Sequence, residues 1–332
     1  MSAPPLTESG PEVVALGECL VAMVAGRPGP LAEARQFDAH VAGSEANVLV
    51  GLARLGHPGA LVGRVGRDGF GQSVLRRLRS EGVEISGVTI DPSRQTALLV
   101  RSRSHVGPAE LRYYRTDSAG SRLSTEDVER QSRVIEGARL LHLTGITPAL
   151  SPSCAAAVQA AIGLARGAGR MISVDVNYRR LLWSEAEARA ALLPIVAEAD
   201  VVIAGPDEAA LLIGHADTED LLLLAGALRA LGPGIAVVKA GPEGAVAMGH
   251  NGEPVVCPSL PVPTIVDPIG AGDAFTAGLL AAVLEGRSLD EALRWANACG
   301  AAAVAVDGDM PGLPTREELE RLLSGASGDI VR

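Results

Sequence analysis

Two aspartates bracket a short glycine-rich loop that runs directly into an apolar helix, over 267–286 (DPIGAGDAFTAGLLAAVLEG). Gly270, Ala271 and Gly272 have little or no side chain, so their backbone N–H groups, at the positive start of the helix, can surround a phosphate oxygen. Asp273 lies at the same helix start. Its carboxylate could accept the proton of a hydroxyl that attacks a phosphoryl group, or it could cap the helix.

Short apolar strands alternate with amphipathic helices, which predicts an α/β fold with a mostly parallel sheet and helices on both faces. Predicted strands cover 139–146, 170–177, 200–205 and 235–241, and predicted helices cover 152–168, 185–198, 207–213, 218–231, 271–285, 289–304 and 315–324. Strand-like segments at 95–101 and 110–116 break this rhythm. With 18–41 they could form a small sheet over the active site. We therefore expect one domain over 1–332, with lid strands from about 18–41 and 93–117.

Polar side chains follow the predicted strands at their carboxyl ends, where ligands gather in open α/β sheets. Asp175, Asn177 and Arg179 alternate along an extended segment, so their side chains should converge on one side. Tyr113 and Arg115 end the second strand of the predicted small sheet. An arginine offers a planar fork for a carboxylate or phosphate, and a tyrosine offers a hydroxyl on a rigid ring. Surface arginines beside half-buried tyrosines are the alternative interpretation.

A second glycine turn precedes a helix near the amino terminus, in 42–56 (AGSEANVLVGLARLG). The apolar spacing predicts an amphipathic helix that ends at Gly56, since helices commonly stop at such a glycine. Gly43 forms the turn. Asn47 is either a structural cap or a ligand-binding residue.

Composition and charge exclude several function classes. The 332 residues are 47% hydrophobic and 20% charged, with a net charge of −10 and a pI near 5.2. No cluster of Lys and Arg is present to neutralise the phosphates of a nucleic acid. The amino terminus lacks a signal-peptide pattern, and no apolar run approaches the roughly 20 residues that span a bilayer. We expect a cytoplasmic protein that binds neither nucleic acid nor membrane.

Cysteine and histidine spacing gives no indication of a metal centre. The four cysteines are far apart and form no C-x-x-C pair, and the six histidines show no metal spacing. Widely separated cysteines of this kind are typical of buried thiols in a reducing compartment.

The pattern D-x-x-G-A-G-D-x-F-x-x-G over 267–278 resembles the signature of the ribokinase-like (PfkB-type) carbohydrate kinases. The resemblance extends from about residue 12 to residue 320 of the chain. It implies a ribokinase-like fold, with Asp273 as the catalytic base that contacts the substrate and 270–272 as the anion hole. Asp267 would lie near the substrate or near a monovalent cation such as K⁺.

The amino-terminal glycine turn is similar to the family's first motif, although Ala42 stands where the family has a glycine. By this resemblance Gly43 approaches the sugar, and Asn47 binds a hydroxyl or orders the loop. The segment 237–247 (VVKAGPEGAVA) resembles the nucleotide loop. The ATP-binding residues that this implies are Lys239, Gly241, Gly244, Gly270, Gly272 and Asn297.

Phosphoryl transfer from ATP requires a cation that offsets the developing negative charge, so we expect Mg²⁺ as a cofactor. The family often carries an Asn-x-x-Glu motif that orders Mg²⁺ through water. Glu208 matches the glutamate, whereas Gly205 stands at the asparagine position. The resemblance therefore implies an indirect metal contact at Glu208.

Two further segments, 112–124 (RYYRTDSAGSRLS) and 173–183 (SVDVNYRRLLW), resemble marker segments of the 2-keto-3-deoxygluconate kinases within this family. These enzymes phosphorylate a six-carbon sugar acid at its terminal hydroxyl. The resemblance implies that Tyr113 and Arg115 contact the substrate from the lid. It implies that Asn177 and Arg179 bind the substrate or the transferring phosphate.

Residues 22 and 99 give evidence on which sugar accepts the phosphoryl group. Neutral-sugar kinases commonly have an aspartate at the position of Ala22, and a carboxylate there would repel an acid substrate. Leu99 argues against a sugar-acid substrate, because the 2-keto-3-deoxygluconate kinases tend to have a tyrosine there.

Two alternatives stay open: a fructokinase-like neutral-sugar kinase and a nonenzymatic sugar-sensing protein. A Rossmann dehydrogenase is disfavoured by the missing G-x-G-x-x-G. The lid of the family often pairs between subunits, so we expect a homo-oligomer, a dimer or higher.

Overall fold

The structure, a computed structural model, describes residues 10–103, 109–214 and 218–325. These residues form a nine-stranded sheet and a separate four-stranded sheet. The strands are β1 (Val13–Leu16), β2 (Leu20–Pro28), β3 (Phe37–Ala42), β4 (Gly59–Gly66), β5 (Val88–Asp91), β6 (Ala97–Arg103), β7 (Leu111–Tyr114), β8 (Leu140–Thr144), β9 (Met171–Asp175), β10 (Val201–Ala204), β11 (Ile235–Lys239), β12 (Ala245–Met248) and β13 (Pro254–Cys257). The α-helices are α1 (Ser44–Arg54), α2 (Gly69–Ser80), α3 (Thr125–Arg130), α4 (Ser132–Gly137), α5 (Ile146–Leu150), α6 (Pro152–Gly167), α7 (Glu185–Ala197), α8 (Pro206–Ile213), α9 (Leu221–Arg229), α10 (Ala271–Leu284), α11 (Leu289–Ala303) and α12 (Arg316–Leu323).

The large sheet has the strand order β13-β12-β11-β10-β9-β8-β1-β4-β5 and is parallel from β11 to β5. Its central strands are continuous apolar runs, VVAL in β1 and VVIA in β10, and every residue of both is buried. Such runs are typical of parallel strands that are covered on both faces. The prediction of a mostly parallel sheet is confirmed. The predicted strands of this sheet correspond to β8, β9, β10 and β11. The sequence did not predict the parallel strands β1, β4 and β5 or the antiparallel pair β12 and β13 at one edge.

Two hydrophobic cores cover the two faces of the large sheet. Successive side chains of a strand point to opposite faces, so β1 contributes Val13 and Ala15 to one core and Val14 and Leu16 to the other. The first core contains apolar side chains of α1, α10 and α11. The second contains those of α6, α7 and α9. The predicted arrangement of helices on both faces is therefore confirmed.

The small sheet has the order β3-β2-β6-β7, with β2 parallel to β6 and the other pairs antiparallel. The two segments predicted to form it, 18–41 and 93–117, supply all four strands. Residues 104–108 of the second segment lie outside the described residues. The predicted small sheet is confirmed, and its action as a lid stays a prediction.

Helix starts follow the capping signals in the sequence. Ser288 begins α11 with a capping box in which Glu291 reaches back to the Ser288 backbone, and Thr315 begins α12 in the same way with Glu318. A capping box satisfies two amide groups that the helix itself leaves without acceptors. The predicted helices 271–285, 289–304 and 315–324 match α10, α11 and α12 to within one residue at each end, whereas the predicted helix 218–231 is observed only over Leu221–Arg229.

Among the described residues we find neither a membrane-spanning helix nor a metal-binding cluster. No helix among them combines the length and the apolar character needed to cross a bilayer. Within the same residues, no group of three His, Cys, Asp or Glu side chains is arranged to hold a metal ion. Cys19, Cys154, Cys257 and Cys299 are all free thiols and all buried.

Two glycines within helices provide a test of the packing between α10 and α11. A Cβ at Gly278 of α10 would lie 2.8 Å from Cys299 Sγ and 2.8 Å from the Trp295 carbonyl oxygen, whereas a Cβ at Gly163 of α6 would meet nothing within 4 Å. We expect Gly278→Ala to lower the free energy of unfolding by about 1–3 kcal/mol through overpacking. Gly163→Ala should raise it by about 0.5–1 kcal/mol, because alanine favours the helix.

Urea unfolding of the two variants beside the wild-type chain measures both effects. Equal changes of the same sign would contradict the close approach of α10 and α11.

Candidate active site

The glycine loop forms the start of α10, the helix predicted there. Gly270 is the residue that caps the helix start, in a left-handed conformation with φ 82°. A Cβ at this position would lie 2.8 Å from the Asp309 carbonyl oxygen, so only glycine fits without strain. The amide groups of a first helical turn have no intrahelical acceptors. The Ala271 amide makes only a long 3.4 Å contact with the Pro268 carbonyl oxygen.

Asp273 does not cap its own helix. The side chain is 8% exposed, and both of its oxygens accept hydrogen bonds from α1. Ser44 Oγ donates to Oδ1 at 2.6 Å, and Asn47 Nδ2 donates to Oδ2 at 2.7 Å. Burial raises the pKa of Asp273 to about 6, although these two donors oppose the shift. A carboxylate with such a pKa is a suitable proton acceptor near neutral pH.

The start of α1 depends on Gly43. This residue has φ 149°, and a Cβ would lie 2.7 Å from the Glu18 carbonyl oxygen. The tight turn sets Ser44 and Asn47 in the first helical turn, facing Asp273. Asn47 Nδ2 also lies 3.2 Å from Asp309 Oδ2. Asn47 thus contacts the aspartate predicted as the base, and its contact with a sugar stays a prediction.

A partly buried ammonium lies beside the glycine loop. Lys239 Nζ donates to Asp175 Oδ2 at 2.6 Å, and Thr276 Oγ1 donates to the same oxygen at 2.9 Å. A Cβ on Gly272 would lie 3.3 Å from Lys239 Nζ. Burial disfavours the charged ammonium, yet the carboxylates of Asp175 and Glu208 outweigh it and raise the pKa of Lys239. Lys239 therefore brings a positive charge to the predicted anion hole.

Glu208 lies in the first turn of α8 and holds two backbone amides. Its Oε2 accepts from the Gly205 amide at 2.6 Å, and its Oε1 accepts from the Tyr178 amide at 2.8 Å. Burial raises the pKa of this carboxyl group above its usual range. The neighbouring Asp175 Oδ1 is buried and has no hydrogen-bond partner among the described residues. A water held by a cation could donate to that oxygen, so the pair Asp175 and Glu208 fits an indirect Mg²⁺ contact.

The predicted convergence of Asp175, Asn177 and Arg179 on one extended strand is wrong. Strand β9 ends at Asp175, and Asn177 adopts φ 38°, a left-handed conformation that asparagine tolerates better than most residues. Asn177 Nδ2 donates to Ser44 Oγ at 2.8 Å. Arg179 is exposed, and the described residues supply no ion pair for it. The structure thus brings Asn177 to Asp273 through Ser44 and leaves Arg179 apart.

One row of the small sheet holds the residues that bear on the acceptor. Ala22 pairs with Leu99 across β2 and β6, and Leu99 pairs with Tyr113 across β6 and β7. Paired residues share one face of a sheet, and these three form a small apolar cluster there. Their contribution to substrate binding stays a prediction.

Arg115 has a carboxylate partner within the chain. Its guanidinium donates to Glu18 Oε2 through Nε at 2.8 Å and through Nη2 at 2.6 Å, and it lies 5.1 Å from the centre of the Tyr113 ring. Arg115 is 8% exposed and Glu18 4% exposed. Glu18 therefore already neutralises Arg115, and contact of Arg115 with a substrate stays a prediction.

Sequence reasoning missed Arg101. This arginine of β6 is 9% exposed and forms a buried ion pair with Asp267, which opens the glycine loop. Asp267 Oδ1 also accepts from the Ile269 amide at 3.2 Å. Two-residue alternation sets Arg101 on the same face of the small sheet as Leu99, and this was the available signal.

The predicted ATP-binding residues fall into two groups. Lys239 lies beside the glycine loop, whereas Gly241 and Gly244 flank a short turn after β11 with φ 56° and 93°. A Cβ at Gly244 would lie 2.2 Å from the Cys257 carbonyl oxygen. Asn297 donates through Nδ2 to the carbonyl oxygens of Cys257 and Pro258, both at 3.1 Å. These contacts explain Gly244 and Asn297 structurally, and their contacts with ATP stay predictions.

Known sequences resemble this chain over most of its length. The sequence pattern of the pfkB family of carbohydrate kinases matches residues 11–316. The 2-dehydro-3-deoxygluconokinase of Thermoproteus tenax is 39% identical over 315 residues, which cover 94% of each chain. The protein of the same name from Bacillus subtilis (strain 168) is 35% identical over 94% of this chain and 95% of its own. Probable fructokinase-6, chloroplastic, of Arabidopsis thaliana is 36% identical over 96% of this chain and 83% of its own.

Solved structures are similar as well. The 2-dehydro-3-deoxygluconokinase of Thermotoga maritima superposes with a TM-score of 0.88 at 25% identity, over 95% of this chain and 99% of that chain. An E. coli protein described as a ribokinase II, in complex with ATP and Mg²⁺, gives a TM-score of 0.87 at 29% identity over the same shares.

The buried pair of Arg115 and Glu18 yields a stability test. Replacement of one partner leaves the other charge buried and uncompensated, which costs about 3–5 kcal/mol. We expect Arg115→Met to lower the free energy of unfolding by that amount, and the added substitution Glu18→Gln to restore at least half of it. Urea unfolding measures both. Arg112→Met is the matched control, because Arg112 lies on β7, just before Arg115, in an exposed ion pair and should change stability by less than about 0.5 kcal/mol.

An unchanged unfolding midpoint in Arg115→Met would contradict the internal pair. Such a result would mean that the Arg115 guanidinium is free to bind a ligand.

Proposed function

The chain belongs to the PfkB family of carbohydrate kinases and is a sugar kinase, and we propose that it transfers the γ-phosphoryl group of ATP to a sugar acid. The proposed acceptor is the terminal hydroxyl of 2-keto-3-deoxygluconate, which would become the 6-phosphate. The observation that carries the chemistry is the buried carboxylate of Asp273, whose pKa of about 6 suits a base, at the start of α10. The choice of acceptor rests mainly on the two relatives named 2-dehydro-3-deoxygluconokinase. This name is a synonym of 2-keto-3-deoxygluconate kinase.

In the proposed reaction Asp273 accepts the proton of the terminal hydroxyl of the sugar acid, while the oxygen of that hydroxyl bonds to the γ-phosphorus of ATP. The bond from that phosphorus to the bridging oxygen breaks, and ADP leaves. The backbone amides at 270–272 and the ammonium of Lys239 stabilise the negative charge of the transferring group. Mg²⁺, when bound, would offset further charge on the phosphates. Asp175 and Glu208 are the residues suited to hold its water ligands.

Substrate contacts follow from the same proposal. Gly43 permits close approach of the sugar at the start of α1, and Tyr113 lines the row of the small sheet that includes Ala22. Arg179 is proposed to bind the sugar carboxylate, since Arg115 is neutralised by Glu18. The apolar Ala22 supports an acid acceptor, because no carboxylate at that position repels it. The guanidinium of Arg101 already supplies a positive charge to Asp267, so the proposal assigns no step to K⁺.

A neutral-sugar kinase is the second candidate, and the fructokinase relative at 36% identity favours it. It would keep Asp273 and the glycine loop and change only the acceptor. A nonenzymatic sugar sensor has no such support, because the reported relatives are named as kinases. We further propose a cytoplasmic protein, which four free buried thiols support. Pairing of subunits through the small sheet likewise remains part of the proposal.

Removal of the base tests the chemistry. Asp273→Asn keeps the shape of the side chain and one of its two acceptor oxygens, but its amide cannot accept a proton. We expect turnover to fall by about a hundredfold or more, with ATP binding largely retained. ADP release and ATP binding by calorimetry measure the two effects. Turnover near that of the wild-type chain would contradict the assigned base.

The acceptor is tested with a panel of sugars. We expect ADP release from Mg²⁺-ATP with 2-keto-3-deoxygluconate or 2-keto-3-deoxygalactonate and little with fructose or ribose. The reason is that Ala22 and an exposed Arg179 suit a carboxylate better than a neutral ring. A preference for fructose would overturn the sugar-acid acceptor and retain the kinase. Binding of a sugar without any ADP release would favour the sensor.

A further inference from the structure

The hydroxyl of Ser44 links two buried side chains. Asn177 Nδ2 donates to Ser44 Oγ at 2.8 Å, and Ser44 Oγ donates to Asp273 Oδ1 at 2.6 Å. All three residues are less than 9% exposed. An amide NH₂ group can only donate, so the single hydrogen of the hydroxyl is directed at the carboxylate. The chain of donors therefore ends on the oxygen of Asp273.

The backbone on either side fixes the geometry of the hydrogen bonds that join Asn177, Ser44 and Asp273. Gly43 sets Ser44 in the first turn of α1, where no larger residue fits the turn. Asn177 reaches Ser44 from a left-handed backbone conformation, φ 38°, and such conformations persist where the surrounding structure holds them. Asn47 fixes the second oxygen of Asp273 from the first turn of the same helix. The carboxylate is thus held at both oxygens by one helix start.

Several charges surround Asp273. Asp175, on β9, raises the pKa of Asp273 and Lys239, on β11, lowers it. Asp309 shares the Asn47 amide, and the buried Glu45 lies on α1. Burial favours the protonated form of Asp273, whereas hydrogen bonds from Ser44 and Asn47 favour the ionised form. The Ser44 donor therefore acts on the form that accepts the proton.

We propose that Ser44 is a positioning residue that keeps Asp273 ionised and oriented for proton acceptance. The inference rests on the proposed function, because it assumes that Asp273 is the base. Ser44 itself does not contact the transferring phosphoryl group in this proposal. Its effect reaches the reaction through the carboxylate alone.

The pH dependence of Ser44→Ala tests the proposal. Loss of the donor should move the acid limb of kcat/KM to higher pH by about one to two units, because a hydrogen bond to a charged group is strong enough for such a shift. The wild-type limb should lie near pH 6. At pH 6.5 we expect a loss of about threefold for a one-unit shift and about twenty-fivefold for a two-unit shift, and at pH 9 kcat/KM within about threefold of wild type. Recovery at high pH separates this role from a purely structural one.

Two further variants sharpen the comparison. Ser44→Thr keeps the hydroxyl and should restore the wild-type acid limb. Ser151→Ala is the matched control, because Ser151 caps the start of α6 through the Cys154 amide and belongs to no part of the site. It should lower stability while leaving the pH profile in place. Measurements of thermal unfolding and of ATP binding test whether the Ser44→Ala variant is folded.

An equal loss in Ser44→Ala at every pH would overturn the proposal, as would an unmoved acid limb. If the wild-type chain releases no ADP with any acceptor, the proposed function fails separately. Infrared difference spectra against the Asp273→Asn counterparts then titrate the carboxylate directly. A titration at higher pH in Ser44→Ala supports the link to Asp273, and an unchanged titration overturns it.

Discussion

Close packing of α1 against α10 is the contact on which the rest of the site depends. Gly51 permits it, since a Cβ there would lie 2.6 Å from the Cβ of Ala277. Ser44 and Asn47 thereby reach Asp273 across 229 and 226 positions of sequence. The same contact removes the carboxylate from water, which raises its pKa. A looser helix pair would leave an ordinary, solvated aspartate with a weaker affinity for protons.

The charges beneath the glycine loop are unequal in number. One ammonium, Lys239, lies among the carboxyl groups of Asp175, Glu208 and Asp273. Burial makes such an imbalance costly, and protons or cations relieve it. The raised pKa values of Glu208 and Asp273 show the first form of relief. A divalent cation beside the nucleotide would be the second. The proposed cofactor therefore suits the electrostatics as well as the chemistry.

Local patterns in the sequence predicted the fold well. Apolar runs indicated the parallel strands β8, β9, β10 and β11, and apolar spacing indicated the helices α6, α7, α10 and α11. The strands β1, β4, β5, β12 and β13 escaped prediction. All of them except β4 have only four residues, and such short segments carry little periodicity. The glycine positions were also readable, since the turns at Gly43 and Gly270 require residues without a Cβ.

Contacts between distant side chains could not be predicted in the same way. Arg101 and Asp267 are 166 positions apart, and their pairing depends on how the small sheet lies over the large one. Arg115 was predicted to await a ligand because sequence offers no means to see that Glu18 comes within reach. The left-handed backbone at Asn177 likewise ended a strand that the alternation of side chains extended.

The row formed by Ala22, Leu99 and Tyr113 lies on the small sheet, whereas the base lies on α10 and its two hydrogen-bond donors lie on α1. Under the proposed function, acceptor choice and phosphoryl transfer are then carried by separate modules of the fold. A substitution in that row can alter the acceptor without disturbing the contact between α1 and α10. Under the same proposal, changes confined to that row could redirect one scaffold between acceptors, in keeping with relatives of comparable similarity that carry the names of a sugar-acid kinase and of a fructokinase.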